Sequence, residues 1–313
     1  MERIAVIGAG VAGLACARSL AEAGHHVVVF DKGRGIGGRM ATRRAGEIRF
    51  DHGAVALVPR GGAFGAFLGA AAVRGHAARW PAAGGWTGVP GMRGLIMPLA
   101  EGLDITSGAE VTGLSRAAGG WHLSGALIPD MHFDRVVLAT PQPQAARLLA
   151  PWPGLVARMA HVSMQPCWTL MAGFDASIGD GPDIARFDGG PLALIAHENT
   201  KPGRNLRGEA WPEDAWVVQA NADWSRQHLE EEQPQVQARL LAAFFAAIGQ
   251  APVTPTTLMA HRWRYALTDV PLGQSHLLDA ALGIGLCGDW CLGARAEDAF
   301  DSGQALAAAM LQG

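Results

Sequence analysis

The feature that most constrains this chain is its opening. A short apolar run, Ile4 to Ile7, leads directly into Gly8-Ala9-Gly10-Val11-Ala12-Gly13. Glycine is abundant here, 42 of 313 residues, so the spacing alone carries little. Its surroundings carry more. A β-branched run before it reads as a buried parallel strand. After it, Leu14, Ala17, Leu20 and Ala21 recur at helical spacing as far as Gly24, a natural stop. A second strand, Val27 to Phe30, then ends in Asp31, 23 residues beyond Gly8. Each part has a physical task in holding a dinucleotide. Gly8 permits the tight turn from strand to helix, Gly10 leaves room for a pyrophosphate, and Gly13 allows close packing of helix on strand. The helix N-terminus, from Val11 and Ala12, offers unpaired N–H groups at the positive end of its dipole. Asp31 accepts hydrogen bonds from an adenosine ribose, with Lys32 beside it.

The rest of the chain alternates less regularly. Val111 to Leu114 and Trp121 to Leu123 read as hairpin strands, and Val136 to Ala139 as a buried strand. From about residue 151, Cys167–Phe174, Trp216–Ala222 and Thr257–Tyr265 alternate polar and apolar, the mark of an antiparallel sheet. A long helix over 233–248 interrupts them, with Glu230-Glu231-Glu232 expected as its acidic first turn. The stretch 180–214, rich in Gly, Pro and Asp, reads as loop. After Gly283 the chain returns to a strand, Ile284 to Cys287, a loop and an alanine-rich helix. A later glycine pattern, Gly283-Ile284-Gly285-Leu286-Cys287-Gly288, leaves no room for a second strand with its acid, so no second dinucleotide fold is expected. The fold class is therefore α/β: a discontinuous Rossmann-type domain from 1–60, 95–150 and 278–313. A second, mainly antiparallel domain takes 61–94 and 151–277.

Composition narrows the functions. Hydrophobic residues make up 49% and charged residues 17%, the balance of a packed globular protein. A net charge of −3 gives no basic stripe for nucleic acid. Apolar runs break before the roughly 20 residues of a membrane span, and no signal-peptide pattern opens the chain. Four cysteines suggest no disulfide scaffold. Cysteines 287 and 291 read as core thiols and not as a metal site, and a cytoplasmic protein is expected.

The segment after Asp31 extends the phosphate-binding signal. Gly37-Gly38-Arg39 brings bare backbone and a guanidinium to a second phosphate face. It resembles amine-oxidase-type flavoproteins, in which this arginine contacts the FAD pyrophosphate. The tail Cys287-Gly288-Asp289-Trp290-Cys291 resembles the late flavin motif of that group. The resemblance places Asp289 on a ribityl hydroxyl and the last helix, near Ala296, against the flavin ring. A positive helix end there favours the reduced flavin. A closer resemblance, over most of the chain, is to bacterial renalase-like proteins. It rests on Phe50-Asp51-His52-Gly53-Ala54, Gly88-Val89-Pro90-Gly91-Met92, Trp224-Ser225-Arg226-Gln227 and His261-Arg262-Trp263-Arg264-Tyr265-Ala266. It implies non-covalent FAD, with Gly53 and Ala54 near the ring and Val111 also at the cofactor. It further implies oxidation of 2- or 6-dihydro isomers of NAD(P)H to NAD(P)⁺, with O2 giving H2O2. Val55-Ala56-Leu57 departs from the Gln-Tyr-Phe that tends to follow in those proteins.

Other readings stay open. An amine oxidase on the same scaffold would want a lysine at the flavin and an aromatic pair. The chain has only Lys32 and Lys201, and one tyrosine, Tyr265. A flavin-binding protein without a substrate site is the third reading. As strand residues, His261, Trp263 and Tyr265 share one face, which either lines the cavity or packs within the sheet. Trp290 either approaches the flavin ring or packs in the core. The oligomeric state has no signal in the sequence.

Overall fold

The computed structural model describes residues 1–46, 48–204 and 214–312. The chain starts with β1 (Arg3–Ile7), α1 (Val11–Glu22) and β2 (His26–Asp31). A hairpin, β3 (Arg43–Ala45) and β4 (Ile48–Phe50), precedes α2 (Gly62–Val73), β5 (Ala77–Trp80), β6 (Gly85–Gly88) and α3 (Met92–Ala100). Next come β7 (Asp104–Ser107), β8 (Gly113–Ala117), β9 (Gly120–Ser124), β10 (His132–Phe133) and β11 (Arg135–Leu138). Helices α4 (Gln142–Leu148) and α5 (Pro153–Arg158) lead to β12 (Ser163–Phe174), β13 (Ile184–Arg186), β14 (Leu192–His197) and β15 (Asp214–Ala220). The chain ends with α6 (Ala222–Gln227), α7 (Gln233–Ile248), β16 (Thr257–Val270), β17 (Leu277–Asp279), β18 (Ile284–Leu286), α8 (Asp289–Leu292) and α9 (Ala296–Gln312).

Two large sheets organise these elements. The first runs β17-β18-β11-β1-β2-β7, parallel except for β17. Its strands are buried on both faces, as parallel sheets require. Ile4 and Val6 point to the side covered by α1, α3 and α9. Ala5 and Ile7 point to the side that holds Trp121, Phe133 and Trp290. The second sheet runs β13-β14-β15-β12-β16 and is antiparallel throughout. Helix α7 covers one face with Val236, Leu240, Phe244 and Phe245. The other face meets Phe50, Val55 and Trp80. This is the mixed α/β architecture expected.

Some expectations are corrected. The supposed loop over 180–214 contains β13 and β14, which complete the second sheet; residues 205–213 of that stretch lie outside those described. Short strands among glycines and aspartates gave no period to read. The three glutamates precede α7 instead of forming its first turn. Glu230 pairs with Arg262 and Arg264, and Glu231 with His228. Residues 61–94, expected on the substrate side, divide between the cores: Phe64, Leu68, Ala71 and Met92 are buried with α1 and α9, Trp80 beneath the second sheet.

The two ends of the chain meet because α9 lies directly on α1. A Cβ on Gly303 would stand 2.2 Å from the Ala12 carbonyl oxygen, so only glycine permits this approach. Overpacking of this kind costs about 1–3 kcal/mol. Gly303→Ala is therefore expected to lower the melting temperature by several degrees, about what such an overpacking cost implies. An unchanged thermal melt would contradict the close packing described.

Candidate functional site

A cavity of about 1640 Å³ runs between the two sheets. It opens at the carboxyl ends of β1 and β2, where open α/β sheets bind their ligands. Gly8, Gly10, Val11 and Ala12 line it from the first turn, Asp31 and Lys32 from the end of β2. Gly38, Arg39, Gly53, Ala54 and Val111 line it as well. Asp289 and Ala296 come from the end of the chain. Gly13 and Trp290 stand apart from the cavity. A Cβ on Gly13 would lie 1.9 Å from the Gly8 carbonyl oxygen, so its task is packing. Trp290 is wholly buried in the core, and its indole N–H donates to the Thr140 carbonyl.

The glycines separate by what they face. Gly8 has φ +112°, and a side chain there would meet the Ala139 carbonyl at 2.8 Å, so the protein itself demands it. Gly10 is different: φ is −81° and nothing lies within 4 Å of where its Cβ would be. Neither backbone strain nor packing requires glycine at this position. The requirement comes from whatever occupies the cavity beside it, which is how a pyrophosphate would use the turn. Asp31 is held ready by two backbone N–H groups, from Ala9 at 2.6 Å and Gly33 at 2.7 Å. The Thr140 hydroxyl and His52 Nδ1 are buried at the cavity with no protein partner among the described residues. This is a donor set that fits a flavin dinucleotide.

Arg39 and Asp289 are 250 positions apart and form a bidentate pair, with Nη1 2.7 Å from Oδ2. Thr268 Oγ1 also donates to Asp289, and Arg39 reaches the Ala266 carbonyl. Asp289 is thereby the counter-ion that aims the guanidinium at the cavity.

Segment 51–54 is held from both sides of the cavity. Asp51 and Glu198 form a fully buried quartet with Lys201 and Arg204, bringing Lys201 Nζ within 2.6 Å of Glu198 and 3.1 Å of Asp51. Burial would push the Asp51 carboxyl up, but Arg204 and Lys201 outweigh it and hold it at about 2. Asp51 also accepts from Thr42 Oγ1 and the Met92 backbone N–H. Its neighbours are then fixed from the second sheet: Trp263 Nε1 donates to the His52 carbonyl at 2.9 Å, Gln219 Nε2 to that of Gly53 at 2.5 Å. Lys201 lies in the stretch expected as loop, and no local pattern signals its pairing with Asp51, 150 positions away.

His261 and Trp263 face the cavity, while Arg262 and Arg264 reach the other way to Glu230, as strand alternation dictates. Trp263 stacks on His52 with centroids 5.0 Å apart, and His261 meets Trp263 edge-on at 4.2 Å. Burial, reinforced by His261 and Arg43, depresses His52 to about 4; burial and Arg43 likewise depress His261 to about 4. Both imidazoles are neutral at physiological pH.

The charge of the cavity is lopsided. Eight arginines and Lys32 line it, leaving aside Arg262 and Arg264 at its rim, which turn to Glu230, against the carboxylates Asp31, Glu110 and Asp289. The chain as a whole carries −3. Arg34, Arg43, Arg44 and Arg186, among these, show no ion-pair partner within the described residues. Among the described residues no group of three or more His, Cys, Asp or Glu is placed to hold a metal ion, and no helix is long and apolar enough to cross a membrane. The four cysteines are buried and unpaired; contact with Cys16 and burial push the Cys287 thiol well up.

Comparisons with known proteins agree with this architecture. Residues 6–71 match the family described as NAD(P)-binding Rossmann-like domain. Over 58 residues the chain is 47% identical to a 4,4'-diapophytoene desaturase (4,4'-diaponeurosporene-forming) of Staphylococcus aureus strain MRSA252. That match spans 18% of this chain and 12% of the desaturase, a short shared segment and not the whole of either protein. In three dimensions the whole chain superposes on a protein assigned as a protoporphyrinogen oxidase from Exiguobacterium sp. 255-15, with TM-score 0.76, 15% identity and 99% of that chain covered. A putrescine oxidase double mutant gives TM-score 0.73 at 14% identity, covering 99% of its chain. The fold is thus a Rossmann-like α/β fold carrying an antiparallel second sheet, shared with these structures.

Two outcomes are expected. Gly10→Ala should keep the thermal stability of the ligand-free protein and weaken dinucleotide binding by about tenfold or more, because only the ligand occupies that space. Equal melting curves with unchanged binding would contradict the assignment. For pH, a histidine whose folded pKa lies below its unfolded value binds more protons when unfolded. Stability should hold above about pH 6.5 and fall between there and pH 4 as His52 and His261 resist protonation in the fold. Urea midpoints for the wild type and the H52Q/H261Q double variant test this: the variant should show a shallower slope, the remainder coming from His197 and His276, which burial also shifts down.

Proposed function

We propose that the protein is a renalase-like FAD-dependent oxidase. It converts 2- or 6-dihydro isomers of NAD(P)H to NAD(P)⁺ with O2 as the electron acceptor. Overall, one dihydronicotinamide, one proton and one O2 give one NAD(P)⁺ and one H2O2. The observation that carries this reading is the cationic cavity, which suits a phosphate-bearing substrate and opposes a protonated amine.

FAD would be held without a covalent bond. Gly8, Gly10, Val11, Ala12 and Gly38 would take the pyrophosphate together with Arg39. Asp31, Lys32 and Val111 would take the adenosine end, Asp289 the ribityl chain, and Gly53, Ala54 and Ala296 the ring region. When bound, the flavin supplies hydride acceptance and reoxidation by dioxygen. The protein's own work is placement. A dihydropyridine gives up hydride on aromatisation and needs no general base, so orientation dominates. The stacked His52–Trp263 pair offers a flat surface for a planar ring, and neutral imidazoles add no charge beside it. Lys201 is locked in the buried quartet, so no lysine stands free at the ring end of the described cavity. Unpaired buried thiols accord with a reducing compartment such as the cytoplasm.

The amine-oxidase reading has one observation in its favour, the fold shared with putrescine oxidase. Anaerobic mixing decides between the two. Micromolar 6-dihydronicotinamide dinucleotide should bleach the visible flavin band of the loaded protein within seconds, and putrescine should not. Bleaching by amines only, or by neither, would overturn the proposal.

A further inference from the structure

The second sheet presents two transverse rows of residues to the same side, two positions apart along each strand. In one row Ile184, Ala196, Val217, Met171 and Met259 are successive cross-strand partners. That row is apolar, and Phe50, Val55 and Trp80 cover it. In the next row the partners are Arg186, Leu194, Gln219, Thr169 and His261, running from the edge strand β13 to β16. All of these but the buried Thr169 line the cavity. One end of this row is the imidazole–indole cluster. The other end is an exposed guanidinium with no hydrogen-bond or ion-pair partner among the described residues.

Strands in a sheet lie about 4.8 Å apart, so four spacings separate Arg186 from His261 by roughly 19 Å. That is a long way for any small amine or single nicotinamide ring to span. It suits an extended ligand with a planar group at one end and, beyond a ribose and a first phosphate, a second phosphate within reach of the arginine. Arginine is the side chain that best matches phosphate geometry, through its planar fork of donors. The flavin dinucleotide's own phosphates are accounted for at the glycine turn and Arg39, on the other sheet.

We propose that Arg186 is a specificity-determining residue that binds the adenylate-side phosphate of the substrate, and that the row from His261 to Arg186 measures substrate length. The proposal rests on the dihydronicotinamide reading above and adds that the dinucleotide form is preferred over the mononucleotide. A mononucleotide carries its phosphate one ribose from the ring and stops short of β13. The adenylate half of a dinucleotide extends along the row toward the edge strand.

The test is binding of oxidised products to the FAD-loaded protein by titration calorimetry. NAD⁺ should bind more tightly than nicotinamide mononucleotide to the wild type. R186A should lose about tenfold in affinity for NAD⁺ while its affinity for the mononucleotide is unchanged, and R186K should recover part of the loss. Equal losses for both ligands, or none for NAD⁺, would overturn the assignment. Anaerobic bleaching of R186A by 6-dihydronicotinamide mononucleotide separates the two levels. If bleaching persists while NAD⁺ affinity matches the wild type, only the Arg186 assignment fails. If no dihydronicotinamide bleaches either protein, the functional reading itself fails.

Discussion

Everything in this molecule depends on the contact between its first and last helices. Gly303 of α9 rests against the Ala12 backbone of α1, a distance no side chain tolerates. That contact brings two helix N-termini, at Val11 and Ala296, to one cavity 285 positions apart in sequence. Two positive dipole ends then face the same cavity, a setting that favours an anionic group. The Arg39–Asp289 pair ties the turn after β2 to α8 beside the same cavity.

A second constraint joins the sheets. The buried quartet of Asp51, Glu198, Lys201 and Arg204 balances two carboxylates against two cations in a place water does not reach. Such groups add little net stability compared with an apolar core, but removing one partner leaves a charge stranded, at a cost of about 3–5 kcal/mol. The quartet fixes Asp51 on one side and the loop after β14 on the other. Segment 52–54 is thus held where His52 stacks on Trp263 and where Gly53 meets Gln219. Placement of the aromatic surface is inherited from buried electrostatics, not from the sheet alone.

Much of this was legible in the sequence where local chemistry is specific. The turn at residues 8–13, Asp31, and the alternation of His261, Trp263 and Arg264 each follow from backbone rules that act over a few residues. The reading failed where tertiary context decides. Strands β13 and β14 hid among glycines and aspartates because β14 is placed by pairing with β15, and β13 in turn by pairing with β14. The quartet was invisible because Asp51 and Lys201 are 150 positions apart. Trp290 stands beside Asp289 in the chain, yet its neighbour faces the cavity while it fills the core. The row ending at Arg186 has no sequence signature, since it exists only across strands.

The central claim is that the cavity is a flavin dinucleotide site built from both ends of the chain. The direct measurement is the absorbance spectrum of the purified protein, incubated with excess FAD, desalted, and then precipitated with acid. The account predicts a yellow protein with close to one flavin per chain, whose colour passes entirely into the acid supernatant. A protein that stays colourless after incubation would contradict the site, and colour retained in the pellet would contradict non-covalent binding.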